Sequence, residues 1–500
     1  MRRPALLLAL LLAVAAPARA QGDLRIALQD DPDSLDPAIN WTFVGRHVLQ
    51  SLCDKLVDLD ERGEIVPMLA RSWAWDEDGR ALTFRLRDDA RFHDGTRFDA
   101  EAVRFNLDRS LTMRASRRRA EIEAVERIEV VDPLTVRLVL KQPSMPLLAA
   151  LTDRAGMMVS PAAVAAAGEG FSRAPVCAGP YRFVEHRPQD RLVLERFPGH
   201  WRAADYHFDR LTFRPMPDST VRLLNLRSGA VDLIERLSPT DLAQVRTERA
   251  LAVNEVTGLG YYALTFNVGG ASANPALARS AAARQAVGLA IDRDAVNQVA
   301  FAGAYQPGNQ PFAPDSPWYD KARPVPARDV AAAKAKLAEA SLKELSFELL
   351  VPTDPERMQV AQVAQSMLAD AGIQMRIQSV ELVSLLDRAR RGEFQAHLIG
   401  WSGRSDPDLN ISPMLGCGAA GNDGKYCGPA LEAALAAGRA TADPAARRAA
   451  YGRAVGALLD DAPLTYLYHA KWIFAHRAGL KGLRAVPDGI VRVDGVTLAR

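Results

Sequence analysis

The chain has 500 residues, 62 Lys and Arg against 60 Asp and Glu, 48% hydrophobic and 24% charged, which excludes disordered and fibrous classes. At about 100–200 residues per domain the length points to roughly two to four domains. The longest uninterrupted apolar stretch lies at the extreme N-terminus, so a multi-spanning membrane protein is excluded.

That stretch reads as an export leader. Arg2 and Arg3 form its basic region, Ala5 to Ala16 its apolar region and Ala18-Arg19-Ala20 an A-x-A cleavage site, so the mature chain is expected to start at Gln21. The apolar run is shorter than the roughly 20 residues of a spanning helix. No Cys follows the small residues, which argues against a lipid anchor. Removing Arg2, Arg3 and Arg19 leaves a net charge of −1 with His neutral, so nothing draws nucleic acid to the molecule as a whole. The run Arg114 to Arg119 has four Arg and no interleaved aromatics, and it is read as a solvated helix end.

Export favours pairing of the four cysteines. Cys417 and Cys427 bracket a polar, Gly-rich loop whose ends can meet. That leaves Cys53 and Cys177 either as a second bridge or as two separately buried thiols. A zinc site is disfavoured, since no C-x-x-C occurs and no His stands at ligand spacing.

In chain order, Leu24 to Leu28 alternates as a half-buried strand and Asp30 to Ser34 breaks it. A helix is predicted over Val44 to Leu56, a short strand at Glu64 to Pro67 and an alternating strand at Ala81 to Leu86. Then come a helix over Ala100 to Leu111 and strands at Ile128 to Val131 and Thr135 to Leu140, with Asp132-Pro133-Leu134 as their turn. From Tyr181 onward the pattern is strand-rich, with Arg191 to Glu195, Leu211 to Arg214 and Val231 to Ile234, and a helix at Ser219 to Ser228. Beyond Tyr261 to Asn267 the sequence turns Ala-rich. Helices are predicted at Ala278 to Ala302, Val330 to Ala340 and Pro355 to Gly372, with strands Leu345 to Val351, Met375 to Val380 and His397 to Trp401 between or after them. That alternation predicts a doubly wound unit on a largely parallel sheet.

Catalytic signatures are absent: H-E-x-x-H, a P-loop and a G-x-G-x-x-G after a strand do not occur. Gly400-Trp401-Ser402-Gly403-Arg404 lacks the last Gly of a nucleophile elbow, although Ser402, Asp406 and His469 could be imagined as a triad. The eight His are scattered, with His200 and His207 in a loop region. They read as satisfied core or surface groups, with a metal complex as the alternative.

Several phrases together resemble the extracytoplasmic solute-binding proteins of family 5, the receptors of dipeptide, oligopeptide, glutathione and nickel ABC importers. They are Asp33 to Pro37, Leu56-Val57, Gly63 to Trp73, Leu82 to Ala100 with Val103 to Asn106, Ala174 to Phe183, Ala263 to Asn267 and Ala283 to Asp292. The phrase Phe92 to Ala100 (FHDGTRFDA) is the most specific. The resemblance implies an α/β, two-lobe periplasmic-binding-protein-like fold with an extra α/β domain inserted in lobe I. Mapped onto this chain, lobe I covers residues 21–56, 176–262 and 471–500, the extra domain 57–175 and lobe II 263–470. Cys53 and Cys177 then stand at the two ends of the insertion.

In similar proteins the loop after a Gly-Trp at a lobe II strand end faces the ligand, and an acidic residue there pairs with a dipeptide's ammonium. Here Arg404 takes about that place, followed by Asp406 and Asp408. A guanidinium fork suits a ligand carboxylate, while a loop clamp between Arg404 and Asp406 is the plainer reading. Trp401 offers a flat wall, and Trp41, Tyr261 and Tyr262 are candidates for the opposite one. Around Val351 to Arg357, where dipeptide receptors present an Arg to the peptide carboxylate, only Arg357 remains.

The expectation is therefore a periplasmic, monomeric, non-catalytic binding protein without cofactor or metal. It would close on a small peptide-like solute and deliver it to an inner-membrane ABC permease and its ATPase. Two alternatives are a receptor for a metal complex or haem and a secreted serine hydrolase using Ser402.

Overall fold

Three larger sheets packed on apolar cores, with two two-stranded pairs beside them, organise the described residues. The computed structural model describes residues 22–499, so the leader read at residues 1–20 lies outside the described residues. A seven-stranded sheet has the order Leu251–Thr257, Lys471–Arg477, Leu233–Ile234, Asp23–Leu28, Arg210–Pro215, Arg191–Arg196, Tyr181–Arg187. At its centre Asp23–Leu28 runs parallel to both neighbours. Leu24, Ile26 and Leu28 enter one core and Ala27 the other, as the two-residue period of a strand demands. Helix Phe43–Leu52 covers the first face through Val44, Val48, Leu49 and Leu52, and Thr42 caps its start by accepting from Gly45 N–H.

A six-stranded sheet has the order Gln306–Pro307, Leu464–His469, Tyr261–Phe266, Ala396–Trp401, Leu345–Pro352, Ile373–Val380. It is mixed rather than largely parallel as the helix–strand alternation predicts. Leu345–Pro352 is parallel to both neighbours, whereas Tyr261–Phe266 is antiparallel to both of its own. The reason lies in the other sheet. Leu251–Thr257 and Lys471–Arg477 are antiparallel partners there, and their continuations across the gap, Tyr261–Phe266 and Leu464–His469, inherit that sense. The helix predicted over Ala278 to Ala302 is three: Pro275–Arg279, Ala281–Leu289 and Arg293–Phe301. Ser280 ends the first helix and caps the second, accepting from Ala283 N–H, and Asp292 caps the third, accepting from Ala295 N–H, after the second has ended at Ala290.

The third sheet is antiparallel, in the order Ala70–Trp75, Ala81–Leu86, Thr135–Leu140, Val125–Asp132, backed by helix Ala100–Thr112. Asp132 closes the predicted turn by accepting from Leu134 N–H at 2.8 Å. Disulfides join Cys53 to Cys177 and Cys417 to Cys427, so the reading of Cys53 and Cys177 as separate thiols does not apply. The phrase from Phe92 folds onto the first bridge. Gly95 takes φ +85° in the turn, His93 Nε2 donates to the Gly179 carbonyl at 2.9 Å and His93 Nδ1 accepts from Cys177 N–H at 3.2 Å. Burial pushes the His93 imidazole down to about 4.

The run Arg114 to Arg119 is not simply a solvated end. Arg118 is 1% exposed, donates to the Asn40 carbonyl at 3.1 Å and pairs with Glu121.

The chain passes between the seven- and six-stranded sheets twice, at residues 258–260 and at Ala470, and Gly258 N–H donates to the Ala470 carbonyl at 2.9 Å. A Cβ on Gly260 would lie 1.7 Å from the Trp401 carbonyl oxygen, and one on Gly403, at φ +80°, 2.2 Å from the Leu259 carbonyl carbon. Only glycines let the loop after Trp401 lie flat on this crossover.

Candidate ligand cleft

Strand Ala396–Trp401 ends at the crossover and releases the loop that carries Arg404, Asp406 and Asp408. Asn410 sets the loop's shape. Its Oδ1 accepts from Trp401 Nε1 at 3.1 Å and from Arg404 N–H at 2.8 Å, while its Nδ2 donates to the Arg404 carbonyl at 2.9 Å. Arg404 is not clamped to Asp406. Asp406 accepts from Arg447 at 2.7 Å, and Asp408 from Arg439 at 2.8 Å and Ser412 Oγ at 2.7 Å. Both carboxylates are thus committed on the loop's own side. Arg404 instead reaches Asp153 with its Nε 3.0 Å from Oδ2. Its guanidinium carbon sits 4.8 Å from the Trp401 ring centre.

Asp153, in the segment after the four-stranded sheet, also receives Arg46 from helix Phe43–Leu52. Arg46 Nε donates to Oδ1 at 3.2 Å and Nη2 lies 3.0 Å from Oδ2. One carboxylate thereby joins groups from all three sheet units. Asp153 is 4% exposed and Arg404 7%. Burial alone would raise the Asp153 carboxyl, but Arg46, Arg404, Arg154 and Arg118 hold it well below the usual range. Arg154 donates to Asn40 Oδ1 at 2.7 Å. Four buried guanidiniums therefore share Asp153 and Glu121. Arg46 Nη1, Arg118 Nε and Arg154 Nε are buried without a hydrogen-bond partner. Buried cations in excess of their counter-ions favour an incoming anion.

The aromatic candidates divide. Tyr261 is 3% exposed, meets Tyr466 edge-on at 4.8 Å and belongs to the core under the six-stranded sheet, so it is not a cleft wall. Its neighbour Tyr262 points to the other face, as strand alternation requires, and stacks on Tyr468 at 4.8 Å. Trp41 is 40% exposed, with the Arg117 guanidinium carbon 5.4 Å from its ring centre. Asp33 fixes that corner by accepting from Trp41 N–H at 2.8 Å and Thr42 N–H at 3.1 Å. Phe43 stacks on Trp472 at 4.4 Å, and Arg236 faces both rings at 5.1 and 4.9 Å. Phe43, Arg46, Asp153, Arg236 and Trp472 escape the sequence reading, because each sits in an ordinary helix, strand end or turn and only the fold brings them together. Arg357 pairs with Asp354, the cap of its own helix.

Residues 64–422 match the family model described as "Bacterial extracellular solute-binding proteins, family 5 Middle". The chain belongs to that family. A glutathione-binding protein GsiB of Pectobacterium atrosepticum is 28% identical to this family 5 protein over 97% of this chain and 96% of its own. A dipeptide-binding protein of Escherichia coli K12 is 27% identical over 87% and 86%. The solved structure of the periplasmic binding protein AgaA with agropinic acid, from Agrobacterium tumefaciens R10, is 26% identical, covers 96% of this chain and 99% of its own, and superposes with a TM-score of 0.86. The fold is thus the two-lobe α/β periplasmic-binding-protein type with an extra α/β domain.

In this family 5 protein the imagined triad is not assembled. Asp406 holds Arg447, His469 Nδ1 meets the Gly260 carbonyl at 2.7 Å while its Nε2 has no partner, and Ser402 Oγ accepts from Arg404 at 3.4 Å. The histidines are dispersed: His200 bonds Asp54 at 2.9 Å, His186 bonds Asp31 at 2.9 Å and His476 bonds Asn254 at 2.8 Å. Among the described residues no group of three or more His, Cys, Asp or Glu could hold a metal ion.

Proposed function

We propose that this family 5 protein is the periplasmic receptor of an ABC importer for an anionic, peptide-like solute such as glutathione or an acidic peptide. After export and cleavage behind Ala20, the monomer would close lobe I (21–56, 176–262, 471–500) and lobe II (263–470) over the solute, the extra domain (57–175) flanking the cleft. It would then dock on an inner-membrane permease whose ATPase supplies the energy. Ligand contacts from both lobes would shift the equilibrium toward the closed form. The observation that carries this reading is the surplus of buried guanidiniums around Asp153, with Arg404 contributed by the loop after Trp401. The names of the glutathione-, dipeptide- and agropinic-acid-binding relatives support the same chemical class. Trp401, Tyr262 and Trp41 would supply apolar walls.

The test is a thermal-unfolding screen of the mature protein against glutathione, acidic and neutral dipeptides, agropinic acid and a nickel–histidine complex. A ligand at 100 times its Kd adds about 2.7 kcal/mol of stability. A shift with anionic peptides that disappears in Arg404→Ala is expected. A shift with the nickel complex alone would overturn the solute class.

A further inference from the structure

The run Arg114 to Arg119 divides into one buried arginine and three exposed ones. Ser116 N–H donates to the Met113 carbonyl at 3.0 Å, and Ser116 Oγ accepts from Arg118 N–H at 3.1 Å. The run is thereby folded into tight turns instead of trailing from its helix. Arg118 turns inward, while Arg114, Arg117 and Arg119 stay at the surface. Arg117 N–H donates to the Ala38 carbonyl at 2.8 Å, which fixes the run against the loop that carries the exposed Trp41.

This corner borders the buried guanidiniums. The Asn40 carbonyl, one residue before Trp41, accepts from Arg118 Nη2 at 3.1 Å and from Arg154 Nη1 at 3.3 Å. Arg154 directly follows Asp153, on which Arg46 and Arg404 converge. One backbone carbonyl therefore ties the exposed run to the cationic cluster, and the Arg118 charge is felt at Asp153 itself.

The three exposed arginines carry uncompensated charge. Among the described residues none of Arg114, Arg117 and Arg119 has a carboxylate within ion-pair distance. The carboxylates of the corner are committed elsewhere: Glu121 to Arg118, Asp36 to Arg109, and Asp33 to the Trp41 and Thr42 N–H groups. Arg119 Nη2 donates to the Thr112 and Met113 carbonyls at 3.4 and 3.3 Å, which holds the side chain without neutralising it. The chain as a whole is close to neutral, with 62 Lys and Arg against 60 Asp and Glu, so it draws no anion from a distance. A local unpaired patch does, over about 10 Å at 0.1 M salt.

We propose, resting on the reading above, that Arg114, Arg117 and Arg119 form an electrostatic entrance for the anionic solute. They would raise its rate of arrival at the cluster around Asp153 without holding it once bound. The entrance sets the association rate, and the buried arginines set the dissociation rate.

Glutathione is the probe. Calorimetry gives its Kd and stopped-flow tryptophan fluorescence its two rates, at about 0.01 M and about 1 M salt, where charges are felt over about 30 Å and about 3 Å. Changing Arg114, Arg117 and Arg119 together to Gln should slow association about 3- to 10-fold at low salt and weaken Kd to match, with dissociation unchanged. At high salt the variant should equal wild type. The same three positions changed to Lys should keep the wild-type rate, because the field needs charge and not a guanidinium fork. Circular dichroism and the unfolding midpoint confirm that both variants are folded. If the Gln variant equals wild type at low salt, or if its loss persists at high salt or is not restored by Lys, the entrance proposal falls while the receptor reading stands. If neither glutathione nor glutamyl-glutamate binds wild type, the anionic, peptide-like solute class falls and this proposal with it.

Discussion

Replacing Asp153 with Ala removes the one carboxylate on which Arg46 and Arg404 converge, each with a nitrogen 3.0 Å from Oδ2. Taking one partner from a buried ion pair costs about 3–5 kcal/mol, because the remaining charge stays desolvated and unpaired. Two cations are stranded here, with Arg154 and Arg118 close enough to repel them. The loss should therefore lie near the upper end, about 5 kcal/mol. Asp153→Asn keeps the shape and one acceptor oxygen but not the charge, and should lose about 2–3 kcal/mol. Urea unfolding of the mature protein measures both, with an unchanged slope showing that the folded state is intact. Arg46 and Arg404 come from elements of two different sheets, so the variant should also unfold without the coupling between them. In a cycle with Arg404→Ala the two losses should fall short of additivity by about 1–3 kcal/mol. A loss below about 1 kcal/mol for Asp153→Ala would show that solvent or other groups already neutralise the arginines, and would refute the counter-ion argument.

Burial holds His93, His397 and His469 at about 4, against 6.5 for a free imidazole. The unfolded chain takes up their protons first, so stability is full above pH 6.5 and falls toward pH 4, by about 2 kcal/mol per histidine at pH 5. Asp423, raised to about 6 by burial, opposes this in part below pH 6, and a urea midpoint equal or higher at pH 5 than at pH 7 would contradict the prediction. Gly260→Ala places a methyl 1.7 Å from the Trp401 carbonyl oxygen and should destabilise by about 1–3 kcal/mol while displacing the Arg404 loop; retention of both the wild-type midpoint and the ligand-induced shift would count against it. Exchanging Cys53 and Cys177 together for Ser should lower stability by about 2–5 kcal/mol in the same assay, and an unchanged midpoint would show that the bridge adds nothing.

The strands and most helices were legible because burial imposes the two-residue and 3.6-residue periods directly on the sequence. Leu24 to Leu28, Ala81 to Leu86 and Thr135 to Leu140 are examples. Sheet sense was not, since the direction of Tyr261–Phe266 depends on a crossover from another sheet. The break at Ser280 was readable as an N-cap inside an Ala-rich run, yet Ala-rich periodicity masked it. At the site, the loop after Trp401 was visible through its Gly-Trp phrase. The partner of Arg404 was not, because Asp153 lies 251 residues away in sequence and nothing local marks it. Tyr261 and Tyr262 looked alike as letters, and only the strand's facing decides which of them leaves the core.

The two crossings, at residues 258–260 and 470, are joined by the Gly258 N–H to Ala470 carbonyl bond and flanked by the pairs Thr257–Lys471 and Tyr262–Tyr468, so the lobes hang on a short two-stranded ribbon rather than on two independent tethers. A paired ribbon resists sliding in its own plane, since that would break its ladder, and bends more easily across its face. Relative movement of the lobes is thereby reduced toward a single soft direction. Tyr262 and Trp472 stand just beyond the two ends of that ribbon, so the same bend that moves one sheet changes the spacing of these two rings. A solute held between the lobes, as proposed, would act at the short arm of a lever, and a small change in its length would become a larger displacement at the far rims of the lobes.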